Sequence, residues 1–571
     1  MRYAFGRARE ALVANTPVEV LGVLDAVHAH AVAGRWCVGY LRYEAAPAFE
    51  SNMACPCRWA ARMVLRARRG KTLARGLRWR GFERRAAGAA MERAPETTGV
   101  RRGDLLDPRC DHARRGLPGQ LHGPIHAQRR ACDAGTQCQE SLQLFAALRR
   151  SQPAAYAAWI DTGAEQVVSV SPELFFNWQD GQILARPMKG TAARGATAQA
   201  DAQAADALRS SKKERAENVM IVDLLRNDLS RIAQPHSVRA ERLFDVSAWP
   251  TVWQMTSDVT ACTRSGTTLS QVFGALFPCG SVKGAPKLSA MRLIHQLEHG
   301  ARGVYCGAVG LVMPGGNAIF NVPIRTVLMD NDGAHCGIGS GVTIDAHAQG
   351  EWAEWRNKRA FLMRASAPFQ ILETLHQGAG ELRHASEHLA RMAAAATHFG
   401  YAFDLDWARG RLQGVAAEHG QGNWRVRLLL DATGQLQAQA FELPPSPTQV
   451  RLQLASRPFE DAHGEFVRFK TTRRAHYEAF APADPEVFDT LLWNEHGELT
   501  ECTRGNVAFL IDGQWVTPAA RCGLLAGIER GRGLRDGRLV ECVVRAEDLG
   551  RVQATAFINN LRGWLDATVV D

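Results

Sequence analysis

The stretch "KKERAENVMIVDLLRNDLSRIA" at residues 212–233 decides how the first half of the chain folds. Its apolar residues Val219, Val222, Leu225 and Leu229 recur every three or four positions, which is the period of an amphipathic α-helix. Charged residues fill many of the positions between them. The stretch therefore predicts one long helix with an apolar side and a charged side.

Segments with strand-like patterns precede and follow this helix. "AAYAAWID" (154–161) and "EQVVSVSPELFFNW" (165–178) alternate apolar and polar residues and predict paired strands joined by the turn "DTGAE". Glycine-punctuated segments predict three further strands at 303–313, 317–329 and 333–345. Helical spacing predicts helices at 140–150, at 284–298 after a Gly/Pro turn, and at 351–365.

The alternation of helices and strands restarts after residue 365. A chain of 571 residues is also longer than one hydrophobic core usually supports. No Gly/Ser-rich linker separates the halves, so we predict two directly abutted domains, residues 1–365 and 366–571. The predicted fold class is a two-domain α+β or α/β protein.

The basic charge of the chain is confined to one segment. The formal net charge is +10, but residues 51–140 hold 18 Arg and 1 Lys against 8 Asp plus Glu, which leaves the remainder close to neutral. Such a segment resembles a nucleic-acid patch. It lacks helical or strand periodicity and regularly spaced aromatic residues for base stacking, so nucleic-acid binding is not predicted.

Composition also indicates the compartment. No run of eighteen apolar residues predicts a membrane span, and the first residues lack the apolar region of a secretory signal. The thirteen cysteines show no regular framework and are expected to be mostly free thiols in a cytoplasmic protein. Cys55 and Cys57 have no second pair at zinc-like spacing, so no zinc site is predicted.

Two pairs of glutamates stand three residues apart, Glu214 with Glu217 and Glu351 with Glu354. This spacing puts each pair on one face of a predicted helix. Two such faces brought together would offer oxygen ligands to Mg²⁺, which keeps open positions for substrate oxygens. By spacing alone, glutamates of this kind are more typical of a solvated helix surface, and that alternative stays open.

A series of motifs follows in fixed order between residues 171 and 358: "SPELFF", "RPMKGT", "KKERAENVMIVDLLRNDLSRI", "GSVKGAPKLSAM", "YCGAVG", "IRT", "GSGVTIDA" and "EWAEWRNK". Together they resemble the chorismate-utilising enzymes, which include anthranilate synthase component I, aminodeoxychorismate synthase component I, and isochorismate and salicylate synthases. The resemblance implies a chorismate-binding enzyme fold, with large antiparallel sheets flanked by helices. It also implies a Mg²⁺ ion held by Glu217 and Glu354, with Glu214 and Glu351 close by.

The same resemblance assigns residues to the substrate. Tyr305, Arg325 and the backbone at Gly341 match the positions that grip the carboxylates of chorismate, a task for which the planar fork of arginine is suited. Glu173 matches the general acid that protonates the departing 4-hydroxyl group.

Lys189 in "RPMKGT" separates two branches of the family. Anthranilate synthases resemble this stretch but carry a small residue there, whereas aminodeoxychorismate synthases carry "KGT". The resemblance implies that in that branch the amine of the lysine attacks ring carbon 2 as the 4-hydroxyl leaves. Only a neutral amine can make this attack. Ammonia then adds at carbon 4, and the lysine is expelled from carbon 2. Thr191 completes the motif on the substrate side. Gln254 stands where many relatives carry a histidine and can hydrogen-bond a ring substituent.

The second domain carries motifs of another family. "HLARM" contains Arg391, "FKTTRRAHYE" contains Lys470 after the strand-like "EFVRF", and "LTECTRGNVAFL" contains Glu501. "GLLAGIERG" (523–531) and "FINNLRGW" (557–564) follow. The set resembles the fold-type IV pyridoxal-phosphate enzymes, which include branched-chain and D-amino-acid aminotransferases and aminodeoxychorismate lyase.

This second resemblance implies pyridoxal 5′-phosphate as cofactor. Lys470 would be its Schiff-base lysine, and Glu501 would pair with the pyridine nitrogen so that the ring acts as an electron sink. The phosphate site would comprise Arg391, Asn560 and the backbone amides at Gly527 and Ile528. A dimer of this domain is compatible with the resemblance.

The two resemblances together predict a bifunctional enzyme that converts chorismate and ammonia to 4-amino-4-deoxychorismate and then eliminates pyruvate to give 4-aminobenzoate, a folate precursor. Ammonia is expected from a separate glutamine amidotransferase subunit or from solution. The alternatives are an anthranilate synthase component I fused to a class IV aminotransferase, and a partly degenerate product without activity.

Residues 51–139 do not fit the first resemblance. Relatives carry a glycine-aspartate-aromatic-glutamine loop where this chain has "RRACDAGTQCQESLQLF" (129–145), and the segment holds five of the thirteen cysteines. We favour the hypothesis that a GC-rich gene is read here in the wrong frame, with the correct frame restored near residue 140. A real insertion and a basic interaction arm are the alternatives.

Overall fold

The structure is a computed structural model that describes residues 3–6, 9–55, 65–68, 119–127, 134–152, 156–193, 198–249, 252–298, 300–342, 351, 354–355, 358–366 and 368–570. It divides into two units, Met1–Ala367 and Pro368–Asp571. Cys57 and most of the segment 51–139 lie outside the described residues, so the frame hypothesis concerns residues of which nothing structural is said.

Helices and strands alternate irregularly in the first unit. The helices are α1 (Pro17–Val32), α2 (Ala134–Ser151), α3 (Ala198–Ser210), α4 (Lys212–Ser230), α5 (Leu269–Leu276), α6 (Lys287–Leu297) and α7 (Ala360–Ser366). The strands are β1 (Glu10–Leu12), β2 (Trp36–Leu41), β3 (Leu65–Arg68), β4 (Gly119–Ala127), β5 (Tyr156–Asp161), β6 (Gln166–Ser171), β7 (Leu174–Gln179), β8 (Gln182–Arg186), β9 (Met188–Ala193), β10 (Arg239–Ala240), β11 (Asp245–Ala248), β12 (Val252–Thr256), β13 (Val259–Cys262), β14 (Ala308–Val312), β15 (Ala318–Asn321), β16 (Thr326–Met329) and β17 (Ala334–Val342).

These strands form antiparallel sheets, as the resemblance implied. A nine-stranded sheet has the order β1-β3-β2-β14-β15-β7-β8-β13-β10, a five-stranded sheet has the order β4-β17-β16-β6-β5, and a three-stranded sheet has the order β11-β12-β9. The main core lies between the nine-stranded sheet and the helices, and Phe175, Phe176, Phe273, Phe277 and Phe320 form an aromatic cluster within it. Burial of such large rings contributes strongly to the stability of a core.

Two pairs of neighbouring strands pass from one sheet into another. β6 and β16 pair in the five-stranded sheet, and the adjoining strands β7 and β15 pair in the nine-stranded sheet. In the same way β8 and β13 pair in the nine-stranded sheet, and β9 and β12 pair in the three-stranded sheet. We call the short connections between these strands the passages.

Proline marks three of the four passages, at Pro172, Pro187 and Pro323. Proline has no N–H to donate, so it ends a ladder and releases the strand from its sheet. The segment 317–329, which was predicted as one strand, is therefore two strands in different sheets. That prediction was wrong because Pro323 interrupts the hydrogen-bond ladder in the middle of the segment.

Polar contacts fix the passages to one another. Val322 N donates to Glu173 O at 3.2 Å, and Val170 N donates to Arg325 O at 3.1 Å. At the other pair of passages, Arg186 Nε donates to Asp258 Oδ1 at 2.5 Å and Arg186 Nη2 donates to Asp258 Oδ2 at 2.8 Å. Such two-pronged ion pairs add geometric specificity as well as energy.

The helix predicted from residues 212–233 is α4. Ser211 caps it by accepting a hydrogen bond from Glu214 N at 3.3 Å. Its buried face runs through Ile221, Leu225 and their neighbours, whereas Val219, which was predicted on that face, is 40% exposed. With 100° per residue, Val219 lies about 120° from the centre of the buried face, which explains the exposure.

The second unit has two sheets. Its helices are α8 (Ala385–Phe399), α9 (Leu405–Glu418), α10 (Glu465–Arg468), α11 (Ala475–Glu478) and α12 (Ile528–Arg535). Its strands are β18 (Ile371–Gly378), β19 (Glu381–Leu382), β20 (Asn423–Leu430), β21 (Leu436–Glu442), β22 (Gln449–Leu454), β23 (Asp489–Trp493), β24 (Leu499–Cys502), β25 (Asn506–Ile511), β26 (Gln514–Pro518), β27 (Val540–Cys542), β28 (Ala554–Asn559) and β29 (Gly563–Val570).

A four-stranded sheet of order β19-β18-β20-β21 shares a core with α8 and α9, and an eight-stranded mixed sheet has the order β24-β23-β22-β29-β28-β25-β26-β27. "EFVRF" was predicted to be strand-like, but residues 465–468 form the short helix α10. The prediction failed because four residues are too few to separate a strand pattern from one helical turn.

Two predictions from composition can be compared with the described residues. None of the described helices is both long and apolar enough to cross a membrane. The ten cysteines in the described part of the chain are all free thiols, as expected.

Gly310 tests the packing of the nine-stranded sheet. A Cβ atom at Gly310 in β14 would lie 2.1 Å from Ile319 O and 2.7 Å from Phe320 Cα, so Gly310→Ala must push β14 and β15 apart. We expect the free energy of unfolding to fall by about 1–3 kcal/mol, measured by denaturant unfolding. The control is Gly22→Ala in the exposed part of α1, where nothing lies within 4 Å and a gain of about 0.5–1 kcal/mol is expected. Equal effects of both substitutions would contradict this account.

Candidate active sites

The passages bring three of the predicted site residues of the first unit to sheet junctions. Glu173 lies between β6 and β7, Arg325 lies between β15 and β16, and Lys189 is the second residue of β9. The positive charge of Lys189 acts on Glu173, and the charge of Lys358 acts on Glu173 and is itself affected by Lys189 and Arg325. Because these charges act on one another, we take the four side chains together as the candidate site of the first unit.

Glu173 is a buried carboxyl group whose Oε1 has no hydrogen-bond partner in the described part of the chain. Burial raises the pKa of Glu173 to about 7, although Ser281 and Lys189 act in the opposite direction. A carboxyl group with this pKa is protonated in a large fraction of molecules at neutral pH, which is the state a general acid needs.

Lys189 faces the carboxylates of α4. Lys189 Nζ lies 3.9 Å from Glu217 Oε2. The next residue, Gly190, has φ +91°, and a Cβ there would lie 3.1 Å from Glu214 Oε2 and 3.3 Å from Glu214 Cβ. Glycine is therefore needed for β9 to approach α4 in this conformation. Burial and Glu217 raise the pKa of Glu214.

The second glutamate pair has partners that sequence reasoning did not single out. Ser340 Oγ donates to Glu351 Oε2 and accepts a hydrogen bond from Trp355 Nε1 at 2.8 Å. Lys358 Nζ lies 2.7 Å from Glu354 Oε1. The spacing of four residues between Glu354 and Lys358 was visible in the motif "EWAEWRNK" and is the signal that would have found this pair.

The four glutamates fit a magnesium ion in part. Their oxygen atoms are the donor type that Mg²⁺ prefers, and Glu354 acts electrostatically on both Glu214 and Glu351, so the two pairs share one region. Yet no group of three or more acidic, histidine or cysteine side chains converges on one point in the described residues. Lys189 and Lys358 instead lie against one glutamate of each pair. Mg²⁺ therefore stays a proposal.

Arg325 has the features of an anion site. Its backbone is left-handed, with φ +52°. Burial lowers the pKa of Arg325 to about 10, with Arg364 acting in the same direction, and the described residues supply no carboxylate to its guanidinium. A buried cation without a counter-charge is unfavourable, so this arrangement favours an anionic ligand.

Tyr305 is held by stacking and by a close glycine. Its ring stacks on His122 with 5.1 Å between the ring centroids. A Cβ on Gly337 of β17 would lie 2.4 Å from the Tyr305 ring, so the ring fits there only because this residue has no side chain. Gly341 lies four residues further along β17 and hence on the same face, opposite Gln120 of β4.

Gln254 and Thr191 bind each other. β12 pairs with β9 so that Gln254 is opposite Thr191, and Thr191 Oγ1 donates to Gln254 Oε1 at 3.1 Å. Gln254 Nε2 donates to Gly190 O at 2.8 Å. Both ends of the amide thus hold β9 in place around Lys189, a structural task that the sequence did not indicate.

The second unit brings Lys470, Arg391 and Glu501 together. Lys470 follows α10, and its carbonyl oxygen accepts a hydrogen bond from Leu372 N on β18 at 3.0 Å. Burial lowers the pKa of Lys470 to about 8, Arg391 acts in the same direction, and Glu373 and Glu501 oppose them. A lysine in this state is partly neutral near pH 8, as a proton acceptor must be.

Glu501 is a buried carboxyl group with several donors. Tyr477 Oη donates to Glu501 Oε1 at 2.7 Å, and Leu525 N donates to Glu501 Oε2 at 3.1 Å. Burial nevertheless raises the pKa of Glu501 to about 8. A positively charged ring nitrogen placed beside it would stabilise the ionised form.

The residues predicted to hold a phosphate group also meet. Gly527 is the N-cap of α12, whose first turn presents free N–H groups, and Arg391 Nη1 donates to the adjoining Ala526 O at 3.1 Å. A Cβ at Gly527 would lie 2.1 Å from Asn506 Oδ1, so only glycine fits. Arg391, Gly527 and Ile528 therefore fit the phosphate of pyridoxal 5′-phosphate.

Asn560 is connected to this site through residues that the sequence did not single out. Asn560 Nδ2 lies 2.7 Å from His388 Nε2, and Asn560 Oδ1 lies 2.7 Å from His384 Nδ1. His388 in turn contacts Glu373, which binds Arg391. The histidine three residues before Arg391 in "HLARM" is a signal that would have pointed to this contact, since the two share a helical face.

Both domains match known families. Residues 125–364 match the chorismate binding enzyme family, and residues 370–570 match the amino-transferase class IV family. The chain therefore combines a chorismate-binding enzyme domain with a class IV amino-transferase domain, and both resemblances seen in the motifs are confirmed. Pyridoxal 5′-phosphate is the cofactor that the second domain implies.

Relatives of the first domain differ in the reaction named for them. Aminodeoxychorismate synthase of Streptomyces griseus is 42% identical over 221 residues, which is 38% of this chain and 31% of the relative. Anthranilate synthase component 1 of Aquifex aeolicus is 37% identical over 222 residues, which is 39% of this chain and 45% of the relative. The chain spans less than half the length of either relative.

A solved structure similar to the second domain is 4-amino-4-deoxychorismate lyase from Pseudomonas aeruginosa. It has 19% sequence identity and a TM-score of 0.31, and the match covers 35% of this chain and 83% of that chain.

Gly527 tests the phosphate site. We expect Gly527→Ala to weaken the binding of pyridoxal 5′-phosphate roughly tenfold or more, because the new Cβ would push against Asn506 and shift the helix N-terminus that we propose as the phosphate site. Absorbance titration of the apoprotein measures this affinity. Gly531→Ala in the same helix is the matched control, since its nearest neighbour is Arg535 Nη1 at 3.6 Å. Unchanged affinity in Gly527→Ala would refute the assignment.

Proposed function

We propose that the chain makes 4-aminobenzoate in two steps. The chorismate-binding domain would combine chorismate with ammonia to give 4-amino-4-deoxychorismate, and the class IV domain would then release pyruvate from that product. The observation that carries the proposal is the position of Lys189 in the candidate site of the first domain. Its charge acts electrostatically on Glu173, and its Nζ lies 3.9 Å from Glu217 Oε2.

In the first step, Glu173 donates a proton to the departing 4-hydroxyl group, for which its raised pKa is suited. The neutral amine of Lys189 forms a bond to ring carbon 2 as that hydroxyl leaves as water. Ammonia then forms a bond to carbon 4, the bond to Lys189 breaks, and the amine is regenerated. Arg325 and Tyr305 hold the carboxylates of the substrate, and Arg325 has no competing carboxylate in the described part of the chain.

Mg²⁺, when bound by Glu217 and Glu354 with Glu214 and Glu351 beside them, would neutralise substrate carboxylate charge. Ammonia would come from a separate glutamine amidotransferase subunit. Both assignments rest on the family resemblance and on the oxygen-rich donor set.

In the second step, Lys470 is the group that moves a proton. Pyridoxal 5′-phosphate, when bound, supplies the electron sink, and Glu501 keeps its ring nitrogen protonated. Lys470 takes the proton from the carbon that bears the amino group, pyruvate leaves from the neighbouring carbon, and the ring becomes aromatic. The lowered pKa of Lys470 suits this role. Transamination by the same domain is the alternative reaction.

Lys189→Ala separates the two chorismate reactions. We expect the substitution to reduce formation of 4-amino-4-deoxychorismate from chorismate and ammonia at least 100-fold, roughly the range over which a positioned catalytic group contributes. Liquid chromatography of full-length protein with Mg²⁺, ammonium and chorismate identifies the product. Lys212→Ala, an exposed lysine at the start of α4, is the control. Full activity of Lys189→Ala, or anthranilate as the wild-type product, would refute the proposal.

The pKa of Glu173 predicts a pH dependence. The acid acts in its protonated form, so at a fixed concentration of free ammonia the wild-type amination rate divided by the rate of Glu173→Gln should fall as the pH rises above about 7, since both proteins need the neutral amine of Lys189. Initial rates of both proteins between pH 6 and pH 9, about one unit below to two units above that pKa, measure this fall. Glu173→Gln should be slow, and a ratio that stays constant with pH would assign the titration to another group.

Lys470→Ala tests the second step in the full chain. We expect this variant to accumulate 4-amino-4-deoxychorismate without releasing pyruvate or 4-aminobenzoate, because the proton acceptor is absent. Coupled detection of pyruvate measures the elimination. If wild-type protein gives a keto product and an amino acid from added amino donor and acceptor, and no 4-aminobenzoate, the domain is an aminotransferase.

A further inference from the structure

A continuous buried network of side chains lies behind the phosphate site of the second unit. Arg391 Nε donates to Glu373 Oε1 at 2.8 Å, and Arg391 Nη2 donates to Glu373 Oε2 at 2.7 Å. Glu373 lies on β18 and is 1% exposed, and its Oε2 also lies 2.6 Å from His388 Nδ1. One carboxylate thus contacts both of the polar side chains that α8 directs to the site.

The proton positions in this network follow from its chemistry. Asn560 Nδ2 is only a donor, so His388 Nε2, at 2.7 Å, must accept, and the proton of neutral His388 must sit on Nδ1, where it is donated to Glu373. Asn560 Oδ1 then accepts from His384 Nδ1 at 2.7 Å. Burial lowers the pKa of His388, which agrees with the neutral ring. Each donor in this series faces an acceptor.

The carboxylate at the centre is permanently charged. Burial alone would raise the pKa of Glu373, but Arg391 and His388 outweigh burial and hold it at about 2. The contact with Arg391 therefore persists at any working pH. It uses two of the five N–H groups of Arg391, and Ala526 O takes a third. One N–H on each terminal nitrogen remains for a ligand.

We propose that Glu373 and His388 are positioning residues that hold Arg391 and Asn560 in the orientation needed to bind the phosphate group of the cofactor. Glu373 would act through Arg391, and His388 would act through Asn560. The inference rests on the proposed function of the second domain as a pyridoxal 5′-phosphate enzyme and adds two residues that its motifs do not assign. A guanidinium and an amide that are held in place before the ligand arrives lose less side-chain freedom on binding.

Comparison of two cofactor forms tests the proposal in the full-length apoprotein. Pyridoxal 5′-phosphate and pyridoxal share the ring and the aldehyde, but only the first has a phosphate. We expect Glu373→Gln to weaken the binding of pyridoxal 5′-phosphate by about 10- to 100-fold, which is the cost typical of losing a partner behind a ligand-binding residue. The affinity for pyridoxal should stay unchanged. The amide of glutamine offers one acceptor and turns a donor towards the arginine fork. Absorbance titration measures both dissociation constants.

The outcomes separate the possible causes. Glu373→Asp, which keeps the charge, should recover part of the affinity, and Glu486→Gln, which removes a partner of Arg451 at the surface, should change neither constant. Equal weakening of pyridoxal, or no weakening of either form, would overturn the proposal. If Glu373→Gln does not fold, as shown by its thermal unfolding, His388→Gln serves as the test. The deciding quantity is again the change in the dissociation constant of pyridoxal 5′-phosphate relative to the change in that of pyridoxal. Failure of wild-type protein to bind either form would instead refute the proposed function.

Discussion

The first unit depends on one backbone constraint, which is that a strand segment can belong to only one sheet at a time. Where the chain leaves the five-stranded sheet for the nine-stranded sheet, and the nine-stranded for the three-stranded, the ladder must end and restart within a few residues. Pro172, Pro187 and Pro323 end it by removing a donor. Glu173, Arg325 and Lys189 follow these prolines by one or two residues. Glu173 and Arg325 lie between two ladders, and Lys189 lies where the pairing of β9 with β12 shifts register. The prolines that redirect the strands therefore also bring these three residues to the sheet junctions.

The two units differ in the surroundings of the arginines that we propose as anion-binding residues. Arg325 is buried without a carboxylate in the described residues, so an anionic ligand would itself supply the missing counter-charge. Arg391 is already bound by Glu373 in a two-pronged ion pair, and a phosphate must be received by its remaining N–H groups together with the N-terminus of α12. The first arrangement gains more from a bound anion. The second keeps its geometry when the ligand is absent, which suits a cofactor that is retained through many turnovers.

The sequence predicted the parts of the fold that local patterns determine. The helix at 212–233 and the paired strands β5 and β6 were predicted correctly because periodicity is a local signal. The site residues were assigned through the family resemblance of the motifs, and their roles stay predictions. The division of 317–329 between two sheets was missed, although Pro323 stood in the pattern. The contacts of Gln254 with Gly190, of Ser340 with Glu351 and of His388 with Asn560 could not be predicted, because each joins elements whose approach is set only by tertiary packing.

The chemistry of the two domains favours one pairing of activities. An anthranilate synthase itself eliminates pyruvate, so its product is already aromatic and leaves a lyase nothing to remove. The 4-amino product keeps both its pyruvyl ether and a primary amine, and the amine is the group through which a pyridoxal 5′-phosphate enzyme engages its substrate. The roles proposed for Lys189 in the first domain and Lys470 in the second are thus consistent with each other, since the reaction proposed for the first lysine would yield the compound on which the second would act. If the second domain were an aminotransferase, its substrate would not be the product of the first domain, and the fusion of the two would need another reason.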